Sequence, residues 1–194
     1  MLAVPARRAV RRRAAPSFTQ ATPMNAEELR ALQAPLKAQY REDPASAVRS
    51  FRASGTLRAD RPSCRIETRF ATYDAGLHPA AGGDGSEACS GDLLLEALVA
   101  CAGVTFNVVA TALGVPFNAV QVVAEGEGDF RGTLGLAKDV PVGMTAIRLR
   151  FEVDSPASDE QLGTLLKLTE RYCVIAQTLR QPPALTTTLQ RSAR

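Results

Sequence analysis

Residues that build disulfide scaffolds and metal sites are scarce in this sequence of 194 residues, which has four cysteines and one histidine. Four cysteines are too few to hold a domain of this size together, and none stands in a C-x-x-C pair. That usage suits a reducing compartment, so we expect a cytoplasmic protein. His78 with Cys64 or Cys89 fits no zinc-ligand spacing, and the glycine-rich segment at 82–85 fits neither the P-loop nor the dinucleotide fingerprint. The sequence therefore predicts neither a metal nor a cofactor.

Acidic residues are absent from positions 1–23, which hold five of the 23 basic residues and three prolines. The rest of the chain has 18 basic and 20 acidic residues, a balance that argues against a nucleic-acid-binding body. Three interpretations of the segment stay open: a disordered basic arm, an organelle-type presequence, or sequence that precedes a true start at Met24. It has no long apolar run, so a secretory signal is not expected.

The start of ordered structure is marked just after this arm. Asn25 and Glu28 have the spacing of a capping box, which predicts the beginning of a helix. Pro35 predicts that this helix stops near Ala34, with a further turn or two up to Tyr40. The chain is therefore divided into a disordered Arg-rich arm at 1–23, an N-terminal helical extension at 24–47 and one folded domain at 48–194.

Alternating apolar and polar residues predict strands on both sides of a long helix. They lie at 48–57, 63–70, 117–125, 144–154 and, as a last edge strand, 184–189. Cys64 falls on the apolar face of the second strand and is expected to be a small core residue. Residues 72–91 are predicted to be a loop because they hold five glycines, and Cys89 within them is expected to be exposed. Strands grouped in runs between helices favour an α+β fold with antiparallel sheets.

The predicted central helix, 92–113, has only two charged residues, both in its first two turns, and carries Cys101 near its middle. A helix that is apolar on nearly every side must be enclosed on nearly every side. A membrane span is the competing interpretation, because residues 97–117 hold no charge. The flanks lack the Lys and Arg excess of a span and Asn107 lies inside it, so no membrane insertion is expected.

A second long helix is predicted at 159–179, where Ser158 and Gln161 form a capping box. It carries Cys173, and we expect this thiol to meet Cys101. Cys173 opens a new apolar run within this stretch, and a thiol at the beginning of a helical run is stabilised as thiolate, whereas Cys101, in the middle of its helix, gains little from the helix dipole. By position alone, Cys173 is the better-placed thiolate.

The segments SGDLLLEALVAC and ERYCVIAQTL resemble the paired-cysteine signature of the OsmC/Ohr family, the osmotically inducible and organic hydroperoxide resistance proteins. The resemblance covers about 48–189. It implies an intertwined homodimer, in which sheets from both subunits enclose the long central helices and the sites lie at the interface. It also implies that Cys101 attacks an organic hydroperoxide and becomes a sulfenic acid. Cys173 would then form a disulfide with it, which a small dithiol or a lipoyl-type partner reduces.

Members of this family support the first cysteine with an arginine and an acid. Arg69 is the first candidate for the arginine, with Arg58 and Arg65 behind it, although each can equally be a solvated strand-face residue. Many members have a glutamate ten residues before the first cysteine. Here that position is Gly91, so Asp92 is the candidate acid, with a favourable first-turn charge as its other interpretation.

Two functional classes remain open. The first is a thiol-dependent peroxidase acting on organic hydroperoxides. The second is a non-catalytic protein of the same fold that binds an apolar small molecule at its dimer interface. Many members also have proline after the second cysteine, where this chain has Val174.

Overall fold

The computed structural model describes residues 24–191, so the predicted arm at 1–23 lies outside the described part of the chain. The fold is α+β, as predicted, with two separate sheets and one long helix. The helices are α1 (Ala26–Glu42), α2 (Ser90–Leu113), α3 (Phe130–Thr133), α4 (Asp159–Tyr172) and α5 (Val174–Arg180). The strands are β1 (Ser54–Leu57), β2 (Cys64–Glu67), β3 (Thr72–Gly76), β4 (Ala88–Cys89), β5 (Ala119–Gly128) and β6 (Met144–Asp154).

Helix α1 runs through Pro35, so the predicted stop near Ala34 is wrong. Its capping box is confirmed: the Asn25 side chain accepts from the Glu28 N–H at 3.0 Å, and the Glu28 carboxylate accepts from the Asn25 N–H at 2.9 Å. A proline inside a helix removes one intrahelical hydrogen bond. The turns on both sides of it remain formed, and α1 packs against α2 with Leu29 buried.

The first sheet has the strand order β1-β2-β3-β4, antiparallel except for the last pair. The first two predicted strands are present and pair as a hairpin, with Leu57 opposite Cys64, although the first begins at Ser54 rather than at 48. The prediction that 72–91 is all loop is wrong, because β3 and β4 lie within it. Strand β3 forms where β2 supplies hydrogen-bond partners, a long-range pairing that the local glycine content does not reveal.

The second sheet is the antiparallel hairpin of β5 and β6, which confirms the alternation predicted for both segments. Helix α2 packs across this hairpin and against α4. Phe106 of α2 stacks on Phe151 of β6, with ring centroids 5.1 Å apart, above the fully buried Leu165 of α4. Gly114 ends α2 in the left-handed conformation, with φ of 66°. Helix α2 is long and apolar enough to cross a membrane, a test that the core helix of a soluble protein also passes.

Two predictions for the C-terminal region need correction. The helix expected at 159–179 is broken at Cys173, whose backbone is extended, with φ of −70° and ψ of 107°. The edge strand expected at 184–189 does not form in the described chain, where Leu185 and Leu189 are exposed. Within residues 24–191 that segment belongs to neither of the two sheets.

The packing around Leu165 predicts where the domain is most sensitive to truncation. Leu165→Ala removes a fully buried side chain and should lower the free energy of unfolding by about 2–5 kcal/mol. Leu166→Ala is the matched control. The Leu166 side chain is 42% exposed, so its truncation should change the free energy of unfolding by no more than about 1 kcal/mol. Urea denaturation followed by circular dichroism measures both, and equal losses would contradict this description of the core.

Candidate functional site

Cys101 and Cys173 lie side by side between α2 and the beginning of α5, and their thiols share a hydrogen bond. Cys173 is only 1% exposed and packs with Leu98 and Ala102, while Cys101 is partly buried at the edge of the same cluster. The hairpin β5–β6 faces this cluster with apolar side chains. The prediction that the two thiols meet is therefore confirmed.

The pKa of Cys101 is lower than its usual value. Burial raises this pKa, but the backbone N–H of Ile175, the Cys173 thiol, the N–H of Val174 and the Thr105 hydroxyl all face the sulfur and lower it. Hydrogen bonds to the charged form of a thiol favour that form. Together these four groups outweigh the burial, so the pKa of Cys101 is lowered without a neighbouring cation.

The pKa of Cys173 moves in the opposite direction. Burial raises it, the N–H groups of Ala176 and Ile175 offset this in part, and the neighbouring Cys101 raises it further. The two neighbouring thiols therefore differ, because the pKa of Cys101 is lowered and that of Cys173 is raised. The expectation that Cys173 is the better-placed thiolate is wrong, because the first amides of α5 also serve Cys101 and burial penalises Cys173.

The break between α4 and α5 makes this arrangement possible. In a continuous helix, the N–H groups of Val174 and Ile175 would bond to carbonyls four residues earlier. The extended backbone at Cys173 interrupts that ladder and leaves both amides at the beginning of α5, facing Cys101. Sequence reasoning missed these donors because backbone amides leave no trace in residue types.

Thr105 was also missed, although a signal for it exists. It lies four residues after Cys101 on the same face of α2, and its hydroxyl donates to the Cys101 carbonyl at 2.8 Å. The single hydroxyl hydrogen thus goes to the carbonyl, while the hydroxyl oxygen lies near the Cys101 thiol.

The structure does not bring the predicted arginine and acid to Cys101 within one chain. Arg69 is exposed in the turn after β2, where its guanidinium lies 5.7 Å from the centroid of the Phe70 ring. Asp92 lies nine residues before Cys101, which places it about 13 Å along α2 and on the opposite face. The reserve candidates are engaged elsewhere: Arg65 pairs with Asp74 at 3.0 Å and Arg58 with Asp60 at 3.1 Å.

A cavity of about 390 Å³ borders Cys173. Its walls are mainly apolar, and an ion pair between Glu170 and Arg180, at 2.8 Å, lies along it. The lining residues on α2, the hairpin and α5 include Leu98, Ile147, Leu149, Phe151, Ala176 and Leu179. The cavity thus offers an apolar compartment next to one of the two thiols.

A second cavity, of about 380 Å³, lies at the beginning of α2 and contains Cys89, which is half-buried rather than exposed as expected. His78 also lines it, with Nδ1 accepting from the Ala80 N–H at 3.0 Å and the ring stacked on Phe130. These contacts give His78 a structural role. Within residues 24–191, no three His, Cys, Asp or Glu side chains are grouped to hold a metal ion.

A proline substitution removes the Val174 N–H and leaves both cysteines and Thr105 unchanged. Val174→Pro deletes that N–H at the first position of a helix, where proline is well tolerated, and after an extended residue that proline favours. Alkylation of Cys101 by iodoacetamide at pH 7 should slow about threefold to tenfold, as expected for the loss of a hydrogen bond to a thiolate. Val174→Ala keeps the N–H and should alkylate like the parent. Equal rates for Val174→Pro and Val174→Ala would show that this amide does not stabilise the thiolate.

Comparisons with known proteins agree with this fold. The family model for OsmC-like proteins matches residues 83–188. An OsmC-like protein from Mycoplasma pneumoniae has 20% identity and a TM-score of 0.57, over 69% of this chain and 89% of that one. An organic hydroperoxide resistance protein OsmC from Legionella pneumophila has 14% identity and a TM-score of 0.54, over 69% and 93%. An organic hydroperoxide resistance protein from Elizabethkingia anophelis has 12% identity and a TM-score of 0.52, over 69% and 91%.

At such identities the structural likeness shows a shared fold. The comparison with curated proteins finds no match to the sequence. The family model covers more than half of this chain, so the chain belongs to the OsmC/Ohr family.

Proposed function

We propose that this protein is a thiol-dependent peroxidase that reduces organic hydroperoxides. The observation that supports this most directly is the pairing of a lowered-pKa Cys101 with a buried thiol at Cys173. A peroxidase-like role in stress defence also follows at the level of the family, since two of the similar structures are of organic hydroperoxide resistance proteins.

The proposed reaction starts at the Cys101 thiolate, which attacks the terminal oxygen of the hydroperoxide. The O–O bond breaks, the alkoxide takes a proton and leaves as an alcohol, and Cys101 becomes a sulfenic acid. The Cys173 thiol then attacks the Cys101 sulfur and expels water, forming a disulfide. A small dithiol or a lipoyl-type partner supplies two electrons and two protons and restores both thiols.

The lowered pKa of Cys101 and the contact between the two thiols suit these two roles. The first step needs a thiolate at neutral pH, and Cys101 is the thiol whose pKa is lowered. The second step needs a thiol within contact of the sulfenate, and Cys173 shares a hydrogen bond with Cys101. The apolar surroundings favour an organic peroxide over hydrogen peroxide, because transfer of a hydrocarbon group from water is favourable.

We also propose that two copies of the chain form a cytoplasmic homodimer. Only 28% of the most apolar stretch of α2 is buried in one chain, and Val104 on this helix is 67% exposed. Strand β1 is exposed along its whole length. A second copy would cover these surfaces, and an arginine and an acid from it could approach Cys101. Arg69 and Asp92 remain the candidates for those roles.

The cavity beside Cys173 supports a second candidate function. An apolar compartment of about 390 Å³ is large enough for a small ligand, so a non-catalytic protein that binds an apolar molecule fits the same geometry. In that case the two thiols are packing groups, and peroxide leaves them unchanged.

Thiol titration separates the two functions. One equivalent of cumene hydroperoxide per reduced chain should remove two titratable thiols, because the sulfenate formed on Cys101 is captured by Cys173. Cys101→Ser should abolish the loss of thiols. Cys64→Ser is the matched control, since Cys64 lies in the first sheet and its replacement should leave the peroxide-dependent loss at two. An unchanged thiol count in the parent would favour the binding protein.

The proposed dimer is tested through Val104. Sedimentation equilibrium of the parent should give twice the 20.6 kDa of one chain. Val104→Glu places a charge in the proposed interface and should shift the protein towards monomer, whereas Val104→Ala keeps it neutral and should remain dimeric. A parent that sediments as a single chain rules the dimer out.

A further inference from the structure

The Glu170 carbonyl lies in the last turn of α4, just before the break at Cys173. Because of this break, the carbonyl lacks its usual helical hydrogen-bond donor. In a regular helix this carbonyl would accept from the Val174 N–H, four residues later. The Val174 N–H faces Cys101 instead. Buried or half-buried carbonyls without a partner are costly, so a replacement donor is expected at this position.

Gln177 provides that donor. Its side-chain amide Nε2 donates to the Glu170 carbonyl at 2.7 Å, across the break and in partly buried surroundings. The Gln177 backbone N–H at the same time donates to the Cys173 carbonyl at 2.9 Å and closes the first turn of α5. One residue therefore fixes α5 to α4 and forms the turn that presents the amides to Cys101.

We infer that Gln177 is a positioning residue for the Cys101 thiolate: its side chain occupies the Glu170 carbonyl and thereby keeps the Val174 N–H available to Cys101. Without that side chain, the Glu170 carbonyl would be left to compete for the Val174 N–H, which is its partner in a continuous helix. Gln177 thus acts through the backbone and does not itself touch the sulfur.

Other groups around Cys101 do not duplicate this effect. The titratable group that faces it is Cys173, and the hairpin contributes apolar side chains to the surrounding cluster, including Val122, Ala124 and Ile147. The Thr105 hydroxyl, which also faces the sulfur, donates to the Cys101 carbonyl within α2 and is independent of the α4–α5 break. Loss of the Gln177 contact should therefore weaken the donors from α5 and leave that of Thr105 in place.

The inference deepens the proposed function, because it concerns the same thiolate, but its test needs no peroxidase activity. Alkylation of the reduced full chain by iodoacetamide is followed from pH 5 to pH 9. Digestion after glutamate then yields the peptide 97–125, in which Cys101 is the one cysteine, so mass spectrometry reads this thiol alone. The rate against pH reports the thiolate fraction of Cys101.

Gln177→Met has nearly the same size and shape but no donor. At pH 7 its Cys101 should alkylate about threefold to tenfold more slowly than the parent, with the whole profile displaced to higher pH. Thr178→Val is the matched control, because it removes a neighbouring side-chain hydrogen bond on α5, from Thr178 to the Val174 carbonyl at 2.9 Å. Its profile should coincide with that of the parent.

A Gln177→Met protein that is folded by circular dichroism but keeps the parental profile overturns the inference. If Gln177→Met does not fold, Gln177→Asn takes its place, since it keeps an amide that is one methylene too short, and a parental profile for that variant is equally contradictory. If the Gln177→Met profile is displaced but the parent leaves cumene hydroperoxide intact, the positioning role is supported and the peroxidase is refuted. If the parent turns over peroxide but the Gln177→Met profile matches that of the parent, the peroxidase is supported and the positioning role is refuted.

Discussion

The contact between the Cys101 sulfur and the first amides of α5 is the interaction on which this site depends. A thiol in apolar surroundings is normally protonated, because burial disfavours the thiolate. Here the chain compensates with backbone donors rather than with a cation, and it obtains them by breaking a helix at Cys173. The same break leaves the Glu170 carbonyl for Gln177 and gives the neighbouring thiols pKa values that move in opposite directions.

The fold holds this contact in place through rigid elements. Helix α2 presents Cys101 from one side, α4 and α5 present Cys173 from the other, and the hairpin β5–β6 packs beneath them. In one chain this unit leaves much of α2 and the whole of β1 uncovered. The proposed second copy would complete both, and it is also the source from which Arg69 and Asp92 could approach the sulfur.

Local patterns in the sequence predicted most of the elements. Strand β6 matches the alternation at 144–154, and the capping boxes at Asn25 and Ser158 mark helix starts correctly. The contact of the two thiols was foreseen from a family signature rather than from periodicity. Strand β3 was missed because it depends on a distant partner, and the break at Cys173 because no proline or glycine marks it. The donors to Cys101 were missed because they belong to the backbone.

The central claim is that Cys101 reacts first and that Cys173 captures the product. Its most direct test is to map the cysteines of the parent after one equivalent of cumene hydroperoxide, with digestion after glutamate and mass spectrometry without reduction. Peptide 97–125, with Cys101, should be joined by a disulfide to the peptide that begins at Arg171 and carries Cys173. A Cys101 oxidised to sulfinic acid beside an unmodified Cys173, or two unmodified thiols, would contradict it.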